Sequence, residues 1–227
     1  MKWVLSPDRN YDILASFYAT PVDNCWLLDA ADYVTSGGLS KFHAAKLLAA
    51  HLLAGYRGVW FIDDDIDFHF EPGEFLNFVD AQGFSLAQPA LTHESYASHP
   101  ITLLHPTCVF RETNFVEVMA PYFSRALLSE AITDFDLSIS TWGLDFIWGA
   151  KYAPRRLAIV DALTMTHTTR VDPANGPFYR YLREIGVDPY MDMRRAFQYL
   201  GIQRFDIVNL KMAFRAATVT PPAIAPH

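Results

Sequence analysis

With 227 residues, 51% of them apolar and 19% charged, the chain has enough material for one domain with a substantial core. Eighteen Lys and Arg against 25 Asp and Glu give a formal net charge of −7, which argues against the basic face that general nucleic-acid binding requires. Two cysteines, Cys25 and Cys108, are too few for a disulfide scaffold and read as buried thiols.

In chain order, a short strand is expected at 3–6, stopped by Pro7; the stretch before that proline is too short for a secretory leader. No apolar run approaches the roughly 20 residues of a membrane span, so none is expected. The expected location is the cytoplasm, including the inner face of a membrane. A second strand is expected over 11–18, closed by Thr20-Pro21. Trp26-Leu27-Leu28 is ambiguous, and Tyr33-Val34-Thr35 runs into the break Ser36-Gly37-Gly38. Ser40 suits the N-cap of a helix over 41–54, whose apolar positions are Phe42, Ala45, Leu48, Ala49 and Leu52. Gly58 to Ile62 carries no charge, as in a parallel-sheet strand buried on both faces. It leads directly into Asp63-Asp64-Asp65.

Pro72 to Ala81 predicts a helix with proline near its start, and Phe84 to Gln88 a short strand. Phe115 to Ser124 reads as a strand interrupted by Pro121, and Arg125 to Ile132 as a helix. Trp142-Gly143-Leu144-Asp145 opens another helix through Tyr152. Strands follow at 157–162 and 164–167, then helices at 177–185 and 191–200. The Pro-rich end is expected to be a disordered tail. Alternating strands and helices predict an α/β domain with a mixed, mostly parallel central sheet flanked by helices. The expected organisation is a catalytic domain over 1–170, a helical C-terminal extension packed on it over 171–218, and the tail over 219–227.

Three adjacent carboxylates beyond a buried strand repel one another and resist loss of water. A divalent cation relieves both penalties. Mg²⁺ and Mn²⁺ favour carboxylate oxygens and complete their shells with water and substrate phosphates. In an extended segment Asp63 and Asp65 would share one side and Asp64 the other. His167, after the last strand, becomes a further ligand if the fold brings it beside the aspartates. Asp145 reads either as a helix cap or as a general base toward an acceptor hydroxyl. Glu117, in an apolar stretch, either faces the acceptor or pairs with Arg111 or Arg125. Lys41 and Lys46 read as solvated lysines or phosphate contacts. The aromatic, arginine-rich stretch 178–197 reads as packing helices, or as a lid or acceptor surface. The P-loop spacing is absent, as are G-x-S-x-G, H-E-x-x-H and C-x-x-C.

Five segments occur in a recognisable order: WFIDDDIDF (60–68), AQPAL (87–91), FVEVMAPYFSR (115–125), TWGLDF (141–146) and IVDALTMTH (159–167). As a set they resemble a group of plant and bacterial proteins labelled "lysine ketoglutarate reductase trans-splicing related", which is similar to a divergent branch of the GT-A glycosyltransferases. The resemblance spans residues 11–170. It implies a GT-A-like single domain that binds a nucleotide sugar, with Asp63-Asp64-Asp65 as the D-x-D motif. By that resemblance Mn²⁺ or Mg²⁺ is held by Asp63, Asp65 and His167, the D-x-D run meets the donor phosphates, and Asp145 is the base. The reading of the residues themselves adds Lys41 beside Asp63 and Asp64 on the donor side, and Glu117, Trp142 and Gly143 on the acceptor side. Leu144 departs from the pattern, since many GT-A enzymes carry a second acidic residue there. The expected activity is metal-dependent transfer of a sugar from a nucleoside diphosphate sugar to a glycan or lipid-linked hydroxyl. The alternatives are a non-catalytic nucleotide-sugar-binding protein and a nucleotidyltransferase or phosphohydrolase-type metal enzyme.

Overall fold

The computed structural model describes residues 9–18, 25–37 and 40–216. The strand expected at 3–6, the Thr20-Pro21 break, Gly38 and the tail over 219–227 lie outside these residues. Near the start, β1 (Leu14–Phe17) and β2 (Tyr33–Ser36) form a small parallel sheet. The main sheet holds β3 (Gly58–Trp60), β4 (Ile66–Phe68), β5 (Leu86–Leu91), β6 (Cys108–Thr113), β7 (Tyr122–Ser124), β8 (Leu157–His167) and β9 (Asn209–Phe214). Its order is β3-β7-β5-β8-β6-β9, and β4 pairs with the carboxyl end of β8.

Among the described residues, β5 and β8 are the one parallel pair of this sheet; its other pairings are antiparallel. The expectation of a mostly parallel sheet is therefore corrected to a mixed one. The uncharged Gly58–Ile62 run, expected as a parallel strand buried on both faces, supplies the edge strand β3, which pairs antiparallel with β7. Aromatic rings cover it on both sides. Trp60 stacks against Phe68 and Phe75 on one face, while Phe61 packs on Phe42 and Phe123 on the other. Lack of charge here reports burial by side chains, not a central position.

Side chains alternate between two cores, as a pleated strand requires. Leu86, Phe123 and Leu157 face a core built with α2 (Lys41–Leu47), α3 (Ala49–Gly55), α5 (Arg125–Ala131), α6 (Leu144–Tyr152) and α8 (Pro189–Leu200). Ala87, Tyr122 and Ala158 face a second core against α4 (Pro72–Gln82). The remaining helices are α1 (Trp26–Ala30), over the ambiguous segment, and α7 (Pro177–Glu184). The helix expected over 41–54 divides at Leu48, whose backbone leaves helical geometry at φ −100° and ψ 10°.

Phe115 to Pro121, expected as strand, is a buried irregular segment that crosses the floor of the site. Its polar groups find partners outside a ladder. Glu117 N donates to Gln88 Oε1 at 2.6 Å, Met119 O accepts from Asp63 N at 3.0 Å, and Pro121 O accepts from Phe61 N at 2.9 Å. The stretch after 170 contains the two expected helices, α7 and α8, and then β9, which sequence reading does not anticipate and which pairs with β6.

A buried strut supports the loop before β6. Arg111 reaches both carboxylate oxygens of Asp161 at 2.9 Å and donates to Ile101 O and Leu103 O at 2.8 and 2.7 Å. The main-chain N–H of His105 donates to the same carboxylate at 2.7 Å. Both cysteines are free; Cys108 is buried and Cys25 half-buried. Among the described residues no helix is long and apolar enough to cross a membrane.

Candidate functional site

The aspartate run lies where the chain leaves β3 and turns back as β4. The expected extended geometry is corrected: Asp64 and Asp65 sit in a turn. The consequence is the β4–β8 pairing, which sets Ile66 opposite His167 and Asp67 opposite Thr166. Asp65 O is pinned by the backbone and hydroxyl of Thr168 at 3.0 and 2.9 Å. This register delivers Asp65 to His167 across 102 residues of sequence, with Oδ2 and Nε2 3.1 Å apart. On the other side of the ring, Nδ1 lies 2.7 Å from Tyr96 O.

A carbonyl and a carboxylate can only accept, so both ring nitrogens of His167 donate. Desolvation works against the imidazolium, but the Asp65 hydrogen bond, the Tyr96 carbonyl and the nearby carboxylate charges outweigh it and lift His167 to about 9. Desolvation likewise opposes ionisation of Asp65, yet the His167 hydrogen bond and charge hold its carboxyl below the ordinary value.

Asp63 takes a different partner. Lys41 Nζ, at the start of α2, donates to Asp63 Oδ1 at 2.5 Å and to Met119 O at 2.7 Å. Loss of water lowers the Lys41 ammonium and raises the Asp63 carboxyl, and their mutual attraction opposes both shifts. Asp64 and Asp67 are exposed. Lys46 pairs with Asp136.

Glu117 is 5% exposed, and its Oε2 makes no hydrogen bond among the described residues. It pairs with neither Arg111, which is spent on Asp161, nor Arg125, which is exposed. Burial raises its carboxyl to about 8, helped by the Asp145 charge, while His167 and Lys41 pull it down. Asp145 is 4% exposed in the first turn of α6. Desolvation raises it to about 7, against a 2.9 Å hydrogen bond from Phe146 N. Two buried carboxyls that titrate near neutrality beside a cationic pair are a functional-site signature.

An aromatic rim borders these groups. Trp142 Nε1 donates to Tyr179 Oη at 3.2 Å, and the Trp142 ring lies edge-on to Tyr190. Tyr179 feels the charges of Asp63 and Asp65, and Tyr18, which packs on Phe178 and Tyr181, feels that of Asp64. Gly143 adopts φ 92°, and a Cβ there would lie 2.5 Å from Ala196 Cβ, so this glycine lets α8 approach closely.

Sequence reasoning missed Tyr18, the Tyr96 carbonyl and Gln88, and it reached Tyr179 only as part of the aromatic stretch 178–197. Only Gln88 carries a local signal: it is a polar residue inside a fully buried strand.

Asp65 and His167 fit a shared divalent ion. Their 3.1 Å separation is close to the edge, about 3.0 Å, of an octahedron with ~2.1 Å bonds. Binding would expel the Nε2 proton, so occupancy would rise with pH. Among the described residues no group of three or more His, Cys, Asp or Glu side chains converges to hold an ion. Mg²⁺-type sites commonly use one or two carboxylates, with water and phosphate completing the shell.

The architecture is thus a mixed α/β domain with an acidic centre at the carboxyl ends of its parallel strand pair. The chain belongs to the family described as "Protein of unknown function (DUF707)", whose model matches residues 8–176. None of the curated proteins compared with it matches by sequence. One similar solved structure is titled "Crystal Structure of A197 from STIV". It is 13% identical, with a TM-score of 0.43, over 71% of this chain and 87% of that one.

Proposed function

We propose that this protein is a GT-A-type glycosyltransferase that moves a sugar from a nucleoside diphosphate sugar to a hydroxyl of a glycan or lipid-linked acceptor. The observation that carries this reading is the meeting of Asp65 with His167, beside Lys41–Asp63 and the buried Glu117 and Asp145. All of these residues except Lys41 lie in the segments whose resemblance leads to the GT-A glycosyltransferases.

Mn²⁺ or Mg²⁺ at Asp65 and His167, with Asp63 in support, would supply Lewis acidity toward the diphosphate leaving group. Lys41 offers a cation that can turn from Asp63 to a donor phosphate. Asp64, exposed at the turn, faces the donor side. The acceptor oxygen bonds to the anomeric carbon as the bond to the diphosphate oxygen breaks, and Asp145 takes the hydroxyl proton. An aspartate near 7 is poised for that transfer at neutral pH. Glu117 Oε2, buried and unpartnered, holds an acceptor hydroxyl. Trp142 and Tyr179 give the sugar ring an apolar face with polar edges.

The test is thermal unfolding with a panel of nucleotides and nucleotide sugars, with and without Mn²⁺. A ligand at 100 times its Kd stabilises by about 2.7 kcal/mol. One nucleoside diphosphate should stabilise the protein in a Mn²⁺-dependent way, and Asp65→Ala should abolish the effect. If no nucleotide stabilises the wild type under either condition, the donor reading is wrong. Stabilisation without release of diphosphate from the donor sugar would make the protein a binding module.

A further inference from the structure

The carboxyl ends of β5 and β8, the one parallel pair in the main sheet among the described residues, open on a cavity of about 390 Å³. It is lined by Ser95, Tyr96, Ala97, Ser98, Arg170 and Val171. Ligands of α/β sheets gather beyond the carboxyl ends of parallel strands, and small-molecule sites span roughly 300–1,000 Å³. One wall is fixed. Tyr96 N donates to His167 O at 3.1 Å, and His167 N donates to Ser95 Oγ at 3.2 Å.

A cation, Arg170, lines the same cavity. Arg170 is exposed, and its guanidinium makes no hydrogen bond or ion pair among the described residues. Asp172, whose carboxylate feels the Arg170 charge, spends its oxygens on Ala174 N, Asn175 N and Asn175 Nδ2. The Ser98 hydroxyl is also without a hydrogen bond among the described residues. In a chain of net charge −7, an arginine with no hydrogen bond or ion pair among the described residues, lining one cavity with a serine hydroxyl, has the chemistry of an oxyanion site. A carboxylate would spend both oxygens on the guanidinium fork. A phosphate has oxygens for the fork and for the serine.

We propose that this cavity is a phosphate subsite, with Arg170 as its cation and Ser98 as a neutral donor, separate from the Lys41–Asp63 pair. The proposal does not depend on sugar transfer, and its first test uses neither donor nor metal. Inorganic phosphate is titrated calorimetrically into the full chain at constant ionic strength. Wild type should bind saturably, and Arg170→Ala should weaken binding roughly ten- to hundredfold, the worth of a charged hydrogen bond. Arg170→Lys should recover part of the loss. Because Arg170 is exposed, Arg170→Ala should unfold at the same denaturant midpoint as wild type. The absence of saturable binding, or equal affinity in wild type and Arg170→Ala, overturns the proposal.

A second arm repeats the titration with saturating nucleoside diphosphate and Mn²⁺. Phosphate binding that persists and still needs Arg170 assigns the subsite to a second, phosphate-bearing ligand. Displacement of phosphate, together with weaker diphosphate binding by Arg170→Ala, assigns it to the donor.

Discussion

Glu117→Gln tests the electrostatics of the centre without any ligand. The carboxyl moves from 4.5 in the unfolded chain to about 8 in the fold. Below 4.5 both states hold the proton and the fold is not penalised. As pH rises through 4.5 the unfolded chain sheds its proton while the fold retains it, so stability falls by about 1.4 kcal/mol per pH unit until the folded value is passed. Between pH 5 and pH 8 this group should therefore cost roughly 3–4 kcal/mol, of which about 3 kcal/mol is reached by pH 7. Glutamine keeps the shape and does not titrate. Burying its amide adds a cost that is the same at every pH, and the Asp145–Glu117 repulsion, lost with the Glu117 charge, counts within the difference. The readout is therefore the difference between the two stability curves. Urea unfolding at pH 5, 6, 7 and 8 should show Glu117→Gln gaining roughly 3–4 kcal/mol on wild type across that range. In thermal unfolding that is a relative gain on the order of 10 °C for a chain of this size. Parallel curves would refute the assignment of Glu117 as a buried, unpaired acid.

Asp145→Asn should retain donor binding while transfer falls by roughly 10²–10⁴, and wild-type transfer should decline as pH drops below about 7; unchanged turnover in this variant removes Asp145 from the proton-accepting role. Asp161→Ala strips the buried Arg111 of its counter-charge and should cost roughly 3–5 kcal/mol in urea unfolding, whereas a loss under 1 kcal/mol would mean that water or another carboxylate replaces Asp161.

A helix with an apolar face and clear ends was legible, as α4 shows. Gly83, at φ 65°, ends α4, and Pro72 begins it. Strand identity was less legible, because burial erases charge without revealing its cause. Gly58–Ile62 and Phe115–Pro121 are apolar for different reasons: one is an edge strand under aromatic rings, the other a buried irregular floor. β6 and β9 escaped because their patterns carry neither a clean alternation nor a long apolar run. Within the site, the Asp63–Asp65 run and His167 could be named from sequence. That Lys41 would sit on Asp63, and that neither arginine would reach Glu117, depends on the fold.

The three-residue strand β4 has one more consequence. Asp65 and His167 are held together by a main-chain ladder and the Thr168 clasp, so their spacing exists before any ion arrives. On the proposed reading, an ion entering there would exchange a proton for itself and order little of the chain. Loading should therefore be fast and reversible, and chelation should leave the fold standing, unlike small metal-built domains that unravel when stripped.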